Sequence, residues 1–551
     1  MQKYTNHYNT KKTSQREAVP GREAEMAKNY AGGVVFKLDE MKVLDRFLIL
    51  GSDKPTYYAS AKTLTKKNAN NILGLIKKDA KGVVDRIVEV SDAGRAPNND
   101  PALFALAMVA GLADDEGKKY ALDNLSKVAR IGTHLFHFVE YVQEFRGWGR
   151  GLRNGLANWY LTKEAERLAY QVVKYQGRDG WTHRDVLRKA HVKTQDELLN
   201  TIFAWVTHGV GGEQKNGEGM VKTFPYTIDD VKTLNIIYGF ELAKKATSED
   251  EIVKLINEYN LPREAVPTNF MGKKVYEALL PKMPMTALIR NLGNLSKVGI
   301  LEAGNFDEIN LVVDKITNEE ALRKARVHPV QLLFALKTYG AGRGMRGKGE
   351  WNVVPQIVDA LNDGFYKAFK FIEPTGKRIL IALDVSGSMG MGWGGGVAGL
   401  DNLSAREASA AMAMVTMKTE KNWAIVGFSH SLINLDLSPT MRLDDVVRKV
   451  SNIPFGATDA ALPALWSAKN GKDFDAIYIY TDNETWYGNV HPFQALTQYR
   501  NKVGHDVKQI VVGMTATDFT IADPKDNSSL DVVGFDTNAP SIMADFTADK
   551  F

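Results

Sequence analysis

Ile379-Leu380-Ile381-Ala382-Leu383-Asp384-Val385-Ser386-Gly387-Ser388 is an apolar run that ends on a carboxylate, with two hydroxyls following at alternate positions. Such a run reads as a strand buried on both faces, as in parallel sheets. A carboxylate and hydroxyls presented on the turn at its C-terminal end suit a hard cation such as Mg²⁺, which takes oxygen ligands and keeps several waters. Two further segments supply matching donors. Gly456-Ala457-Thr458-Asp459 offers another hydroxyl, and Ile477-Tyr478-Ile479-Tyr480-Thr481-Asp482 is a second apolar run that ends on a carboxylate. The predicted metal ligands are Asp384, Ser386, Ser388, Thr458 and Asp482, with Mg²⁺ as the expected cofactor.

Outward from this stretch the pattern alternates. Arg378 to Leu383, Asn422 to Phe428, Ala476 to Tyr480 and Val507 to Val512 read as strands, whereas Arg406 to Lys418 and Ala460 to Ala468 read as helices. Apolar strands separated by helices predict a doubly wound α/β domain over 376–551, whose ligands bind beyond the carboxyl ends of the strands. Asp384 and Asp482 both fall there. The order Asp-x-Ser-x-Ser, then Thr, then Asp resembles the metal-ion-dependent adhesion site of von Willebrand factor A domains at every position. That resemblance implies a metal whose last coordination position is held open for a partner's carboxylate or a water, so that the site grips and does not cut.

Residues 1–370 carry helix-period apolar faces instead, among them Ala102 to Ala113, Ala121 to Phe145, Gly155 to Val173 and Thr194 to Trp205. In the last of these Thr194 and Glu197 stand at capping-box spacing. So many helices with short connections exceed a single bundle core and predict a solenoid of helix pairs with degenerate repeats. Gly340 to Gly349 reads as a loop, and Glu373-Pro374-Thr375-Gly376 as the turn before the α/β domain.

The 551 residues call for at least two domains. The net charge of +5 divides unevenly: residues 1–375 hold 55 Lys and Arg against 45 Asp and Glu, and residues 376–551 hold 15 against 20. The larger part is thus suited to a polyanion and the smaller is not. No cysteine is present, which excludes disulfides, thiolate zinc sites and cysteine nucleophiles. No apolar stretch is long enough to span a bilayer and no signal-peptide core follows the N-terminus, so no membrane partner and a cytoplasmic location are expected.

Basic residues crowd between Arg130 and Lys193. The stretch includes Arg130, His134, His137, Arg146, Trp148, Arg150, Arg153, Lys174, Arg178, His183, Arg184, Arg188, Lys189, His191 and Lys193. Guanidinium groups grip phosphates bidentately and aromatic rings stack on unpaired bases, as in single-stranded RNA recognition. The competing reading pairs these cations with Glu140, Glu144, Glu164 and Glu166 on solvated helix faces, and composition leaves the two level. Within Gly180 to His191, Thr182 is placed to cap a helix, so that Arg184, Arg188 and His191 fall on one stripe. A lone helical histidine is more often structural, and His191 gains weight only from its neighbours.

Blocks spread over most of the chain are similar to the Ro ribonucleoprotein autoantigen family. They are Arg46 to Ser52 with Thr56-Tyr57-Tyr58, Lys174 to His191, Met283 to Gly293, and His328-Pro329 through Ala335 to Tyr339 and on to Pro374 to Arg378. The resemblance implies a ring of HEAT-like helical repeats, the TROVE module, with its ends held together by the A domain, in a monomer. It implies a noncatalytic scaffold in RNA quality control that binds Y-like small noncoding RNA and the single-stranded 3′ ends of misfolded RNAs, alongside an exoribonuclease or other RNA-processing enzyme. Lys174, Arg178 and His191 stand where that family places RNA contacts. Arg130, His134, Arg150, Arg153, Arg184, Arg188 and Lys189 are added from charge and spacing alone. The Gly390 to Gly396 loop, with Trp393, departs from the family pattern after the metal turn.

Other chemistry fits less well. Gly342 to Gly349 nearly spells a phosphate-binding loop, but Gly349 stands where Ser or Thr must meet Mg²⁺. Gly427-Phe428-Ser429-His430-Ser431 lacks the closing glycine of a nucleophile elbow. His134 and His137 have only Glu140 as a third metal ligand. Two competitors to the RNA scaffold stand: a metal-dependent protein-adhesion module with a helical protein-binding part, and a Mg²⁺ nuclease, which the acidic surroundings of Asp384, Asp459 and Asp482 disfavour.

Overall fold

Arg378–Asp384 is the central strand of a six-stranded sheet in the order Ser529–Val533, Lys508–Gly513, Ala476–Thr481, Arg378–Asp384, Asn422–Phe428, Leu432–Ile433. The computed structural model describes residues 12–51, 61–210, 213–215, 221–223, 227–344, 349–369, 372–390, 403–454 and 456–550. The first five strands are parallel, as expected, and the short edge strand Leu432–Ile433 is antiparallel. Because strand side chains alternate, Ile379, Ile381 and Leu383 enter one core with the helices Ala405–Thr419 and Leu443–Ser451. Leu380 and Ala382 enter a second core with Leu462–Lys469 and Pro492–Val503. Both faces are thus covered, which explains the unbroken apolar run.

The N-terminal part is a succession of packed helices, but its longer predicted segments are broken. Ala121 to Phe145 divides among Asp115–Asp123, Leu125–Val128 and Gly132–Val142, and Gly155 to Val173 among Arg150–Leu161 and Ala165–Lys174. The break at Ala129 coincides with the buried indole N–H of Trp159 donating to its carbonyl. The helix predicted to open with Thr194 begins later, at Glu197, with Asp196 accepting from the Leu199 N–H as its cap. The loop 340–349 lies only partly within the described residues, and 391–402, with Trp393, lies outside them, as do Ser52 and Thr56-Tyr57-Tyr58.

The helical array closes on itself. Arg326 donates to the carbonyl of Asp92 and pairs with its carboxylate at 2.7 Å, and Gln331 donates to the carbonyl of Pro97 at 2.6 Å. One loop of the sheet domain staples both ends: Asp536 pairs with buried Arg95 at 2.6 Å, and the neighbouring Phe535 carbonyl meets His328 Nε2. Arg46, fully buried, crosses between the parts by pairing with Asp531 at 2.6 Å and donating to the Phe519 carbonyl at 2.7 Å. One continuous apolar core runs from the helices onto one face of the sheet. Among the described residues no helix is long and apolar enough to cross a membrane.

Residues 13–38, the start of the segment assigned to the helical module, pack on the sheet domain. Met26–Lys28 and Val34–Lys37 form a small antiparallel sheet with Phe519–Thr520. Arg22 pairs with Asp523 at 2.6 Å and lies over the Phe36 ring.

Candidate metal centre and nucleic-acid interface

Asp384, Ser386, Ser388, Thr458 and Asp482 are all buried at the carboxyl end of the sheet. The central strand stops there because the chain turns: the Ser386 N–H donates to Asp384 Oδ1 at 2.9 Å, and the Val385 N–H donates to the Phe428 carbonyl of the neighbouring strand at 2.9 Å. The two serine hydroxyls are 3.1 Å apart, and Thr481 donates its hydroxyl to Asp384 Oδ2 at 2.7 Å. Asp482 is fixed by the Glu484 N–H on Oδ1 at 3.0 Å. Thr458 is tied to the same loop, since its carbonyl accepts from the N–H groups of Trp486 and Tyr487.

The electrostatics of this cluster are unbalanced. Burial raises Asp384 above the usual carboxylate range, and burial together with the charge of Asp384 pushes Asp482 up to about 7. The cation beside them is Arg406, whose guanidinium donates to the Val385 and Ser386 carbonyls at 2.6 and 2.8 Å. Asp482 Oδ2 and Thr458 Oγ1 are buried with no hydrogen-bond partner. An orphaned buried polar atom costs about 1–3 kcal/mol, and a hard divalent cation would satisfy both atoms and balance both carboxylates. The residues present therefore fit such an ion.

The basic stretch separates into exposed and buried members. The helix His183–Ala190 is capped by Thr182 and Asp185 in a reciprocal capping box, as its sequence predicts. Arg184, Arg188 and Lys189 are exposed along it; Arg150 and Arg153 are exposed on the helix Arg150–Leu161. Arg178 is 61% exposed on the hairpin Gly177–Arg178/Trp181–Thr182. Lys174 is half-buried, bonded to the Tyr170 hydroxyl at 3.1 Å and lying beside the Tyr170 and Tyr175 rings. His191 is exposed but is not on the helical stripe. It ends the helix in the left-handed conformation, φ 53°.

Four other basic residues of the stretch are engaged within the fold. His183 is buried among Phe136, Trp159 and Tyr160, with its Nδ1 at 2.9 Å from the Tyr160 hydroxyl, and burial pushes it down to about 3. His134 is likewise pushed down to about 3, chiefly by burial and then by Arg130, and is neutral at ordinary pH. Arg130 is half-buried and donates to Ser91 Oγ at 2.8 Å, near the ring closure. His137 bonds to Asp179 and does not pair with His134 to hold a metal.

Two family models cover most of the chain: the TROVE domain over residues 27–339 and the Ro60 vWA domain over 378–547. The chain belongs to the Ro60 family. It is 41% identical to the RNA-binding protein RO60 of Deinococcus radiodurans over 94% of each chain, and 35% identical to the RNA-binding protein RO60 of Caenorhabditis elegans over 95% of this chain and 90% of that one. The crystal structure of the Deinococcus radiodurans RO (RSR) protein is 40% identical and superposes with a TM-score of 0.67 over 93% of this chain and all of that one.

Other residues hold this cluster of carboxylates and hydroxyls in the Ro60-family chain, and none of them is among the residues that the sequence predicts for the site. Buried Gln15 donates to Asp459 Oδ1 and to the Val490 carbonyl and accepts from the Thr485 hydroxyl, which locks the Thr458 loop to the loop after Asp482. Thr481 and Arg406 steady Asp384 and the serine turn. A contact spanning more than 440 residues leaves no local pattern, whereas Thr481 is the last residue before Asp482 in the same apolar run.

Proposed function

We propose that this Ro60-family chain is a noncatalytic RNA-binding scaffold. It binds Y-like small noncoding RNA through Lys174, Arg178, Arg184, Arg188, Lys189 and His191, and receives the single-stranded 3′ ends of misfolded RNAs in RNA quality control. The observation that carries this reading is the exposed cationic face of the helix His183–Ala190 and the hairpin before it, on the more basic part of the chain. Arg150 and Arg153 extend that face; His134, half-buried and neutral, is not among the phosphate contacts, and Arg130 is engaged by Ser91. An exoribonuclease or other RNA-processing enzyme is the expected companion, in the cytoplasm.

Mg²⁺ is assigned to Asp384, Ser386, Ser388, Thr458 and Asp482, where its chemistry is to bind a partner's oxygen. The unpaired Asp482 Oδ2 and Thr458 Oγ1 support that assignment. The test is binding of purified protein to a structured RNA with and without a single-stranded 3′ tail, across a salt series and with EDTA. Tail-dependent, salt-sensitive and EDTA-insensitive binding is expected. Absence of RNA binding at low salt would sink this reading in favour of a metal-dependent adhesion module.

A further inference from the structure

Two tryptophans of the helical module meet at the basic face. Trp159 and Trp205 are core residues, whereas Trp148 and Trp181 are only half-buried and pack against the edge of the core. Trp148 comes from the loop between the helices Gly132–Val142 and Arg150–Leu161, and Trp181 from the hairpin that carries Arg178. Their ring centroids lie 5.7 Å apart with planes 37° from parallel. Each indole N–H is tethered, Trp181 to Glu140 at 2.9 Å and Trp148 to Gln143 at 3.4 Å, so the rings are held in orientation by their edges. Lys189 Nζ sits 4.9 Å from one centroid and 5.1 Å from the other.

The backbone that precedes both rings faces solvent. A methyl group built at Gly147 or at Gly180, the residues that precede the two tryptophans, meets nothing within 4 Å. Exposed Arg150 and Arg184 follow the two rings in sequence by two and three residues. Oriented, half-buried aromatic rings on an exposed loop and hairpin, with a lysine on the rings and guanidinium groups nearby, are the parts of a single-stranded nucleic-acid platform. There a base stacks on an aromatic ring and the adjoining phosphate meets a cation.

We propose that Trp148 and Trp181 form a stacking shelf for an unpaired nucleobase of bound RNA, and that Lys189 turns from the rings to the adjoining phosphate when the base arrives. The inference rests on the RNA reading of the same face and adds to it the class of nucleotide accepted there. A base locked in a duplex cannot reach the shelf. The shelf therefore distinguishes RNA with bulged or unpaired bases from RNA that offers only phosphates.

The test uses the full chain and two RNA hairpins of equal length, one with unpaired purines in its stem and one fully paired. Trp148→Leu and Trp181→Leu should each weaken binding of the first about tenfold and leave the second unchanged, with the same slope of log K against log salt. Trp148→Phe, which keeps an aromatic face, should retain most of the affinity and so shows that the loss is not a folding defect. Lys189→Ala should instead lower the salt slope by about one. Leucine variants that bind both hairpins as the parent does, or lose both equally, would overturn the shelf while leaving the RNA reading intact. A parent chain that binds neither hairpin would overturn both.

Discussion

Gln15 donates its side-chain amide to Asp459 Oδ1 at 2.7 Å across 444 residues of chain. The same amide reaches the Val490 carbonyl at 2.8 Å, and the Gln15 carbonyl oxygen takes the Thr485 hydroxyl. Gln15→Ala leaves buried partners unsatisfied and should destabilise the protein by about 1–3 kcal/mol. Because Thr458 and Asp459 share one loop, it should also reduce the rise in melting temperature on adding Mg²⁺. A melt series with and without the ion reads both effects, and a full Mg²⁺ response in the variant would show that the clasp does not set the site.

Mg²⁺ itself should stabilise the parent protein. A ligand present at about 100 times its Kd adds about 2.7 kcal/mol, so the melting temperature should rise with Mg²⁺ concentration and fall back with EDTA. Asp384→Ala removes a carboxylate from the cluster and should abolish that response while leaving RNA affinity unchanged in a gel-shift titration.

Lys174→Ala with Arg178→Ala should weaken Y-like RNA and lower the salt slope by about two, one for each lost phosphate contact. Filter binding at several salt concentrations gives affinity and slope together. Unchanged binding would mean that the cationic face lies elsewhere.

The two ion pairs at the closure of the helical array differ in burial and so in predicted weight. Arg95 and Asp536 are both nearly inaccessible, and Arg95→Ala strands a buried carboxylate at a cost of about 3–5 kcal/mol. Arg326 and Asp92 are largely exposed, and Arg326→Ala should change stability by no more than about 1 kcal/mol. Urea unfolding of the two variants side by side measures the difference.

Buried histidines should each draw stability from the fold as the pH falls below about 6.5. Burial holds His183 neutral down to about 3 and His328 down to about 4, and lowers His491 as well. In the unfolded chain these groups take up protons near pH 6.5, so the unfolded state binds more protons below that value and stability falls as pH falls. Each of His183 and His328 adds a slope of up to about 1.4 kcal/mol per pH unit between about 6.5 and its folded value. Asp482 and Asp384, raised by burial, act with the opposite sign over this range, so the histidine contribution is read as the difference between parent and His183→Gln melting curves from pH 7 to pH 5, the variant losing less stability in acid than the parent.

The sheet was the most legible part of the molecule, because a strand covered on both faces must be apolar throughout and its ligands must follow its end. Asp384, Ser386, Ser388 and Asp482 fall together for that reason, and Thr458 joins them through its carbonyl. The capping box at Thr182 is a local pattern and was equally readable. His183 was not. Its charge suggests a surface, and only the rings of Phe136, Trp159 and Tyr160 make it a core residue. The helical stripe misplaced His191, because nothing in the sequence marks a left-handed residue there other than the end of the apolar period. The helix break at 129–131 coincides with a contact from Trp159 to the Ala129 carbonyl, 30 residues apart, that local periodicity does not record.

The small sheet joining Val34–Lys37 to Phe519–Thr520 also sets an order of events during synthesis. Val34, Val35 and Phe36 leave the ribosome early, yet the strand that covers one of their edges appears only after some 480 further residues have been made. Through that interval an apolar strand edge is open to strangers, the condition under which nascent chains aggregate or recruit chaperones. A message truncated before Phe519 would release a chain with this edge permanently bare. Completion of the C-terminal domain is thus the step that shelters the start of the chain.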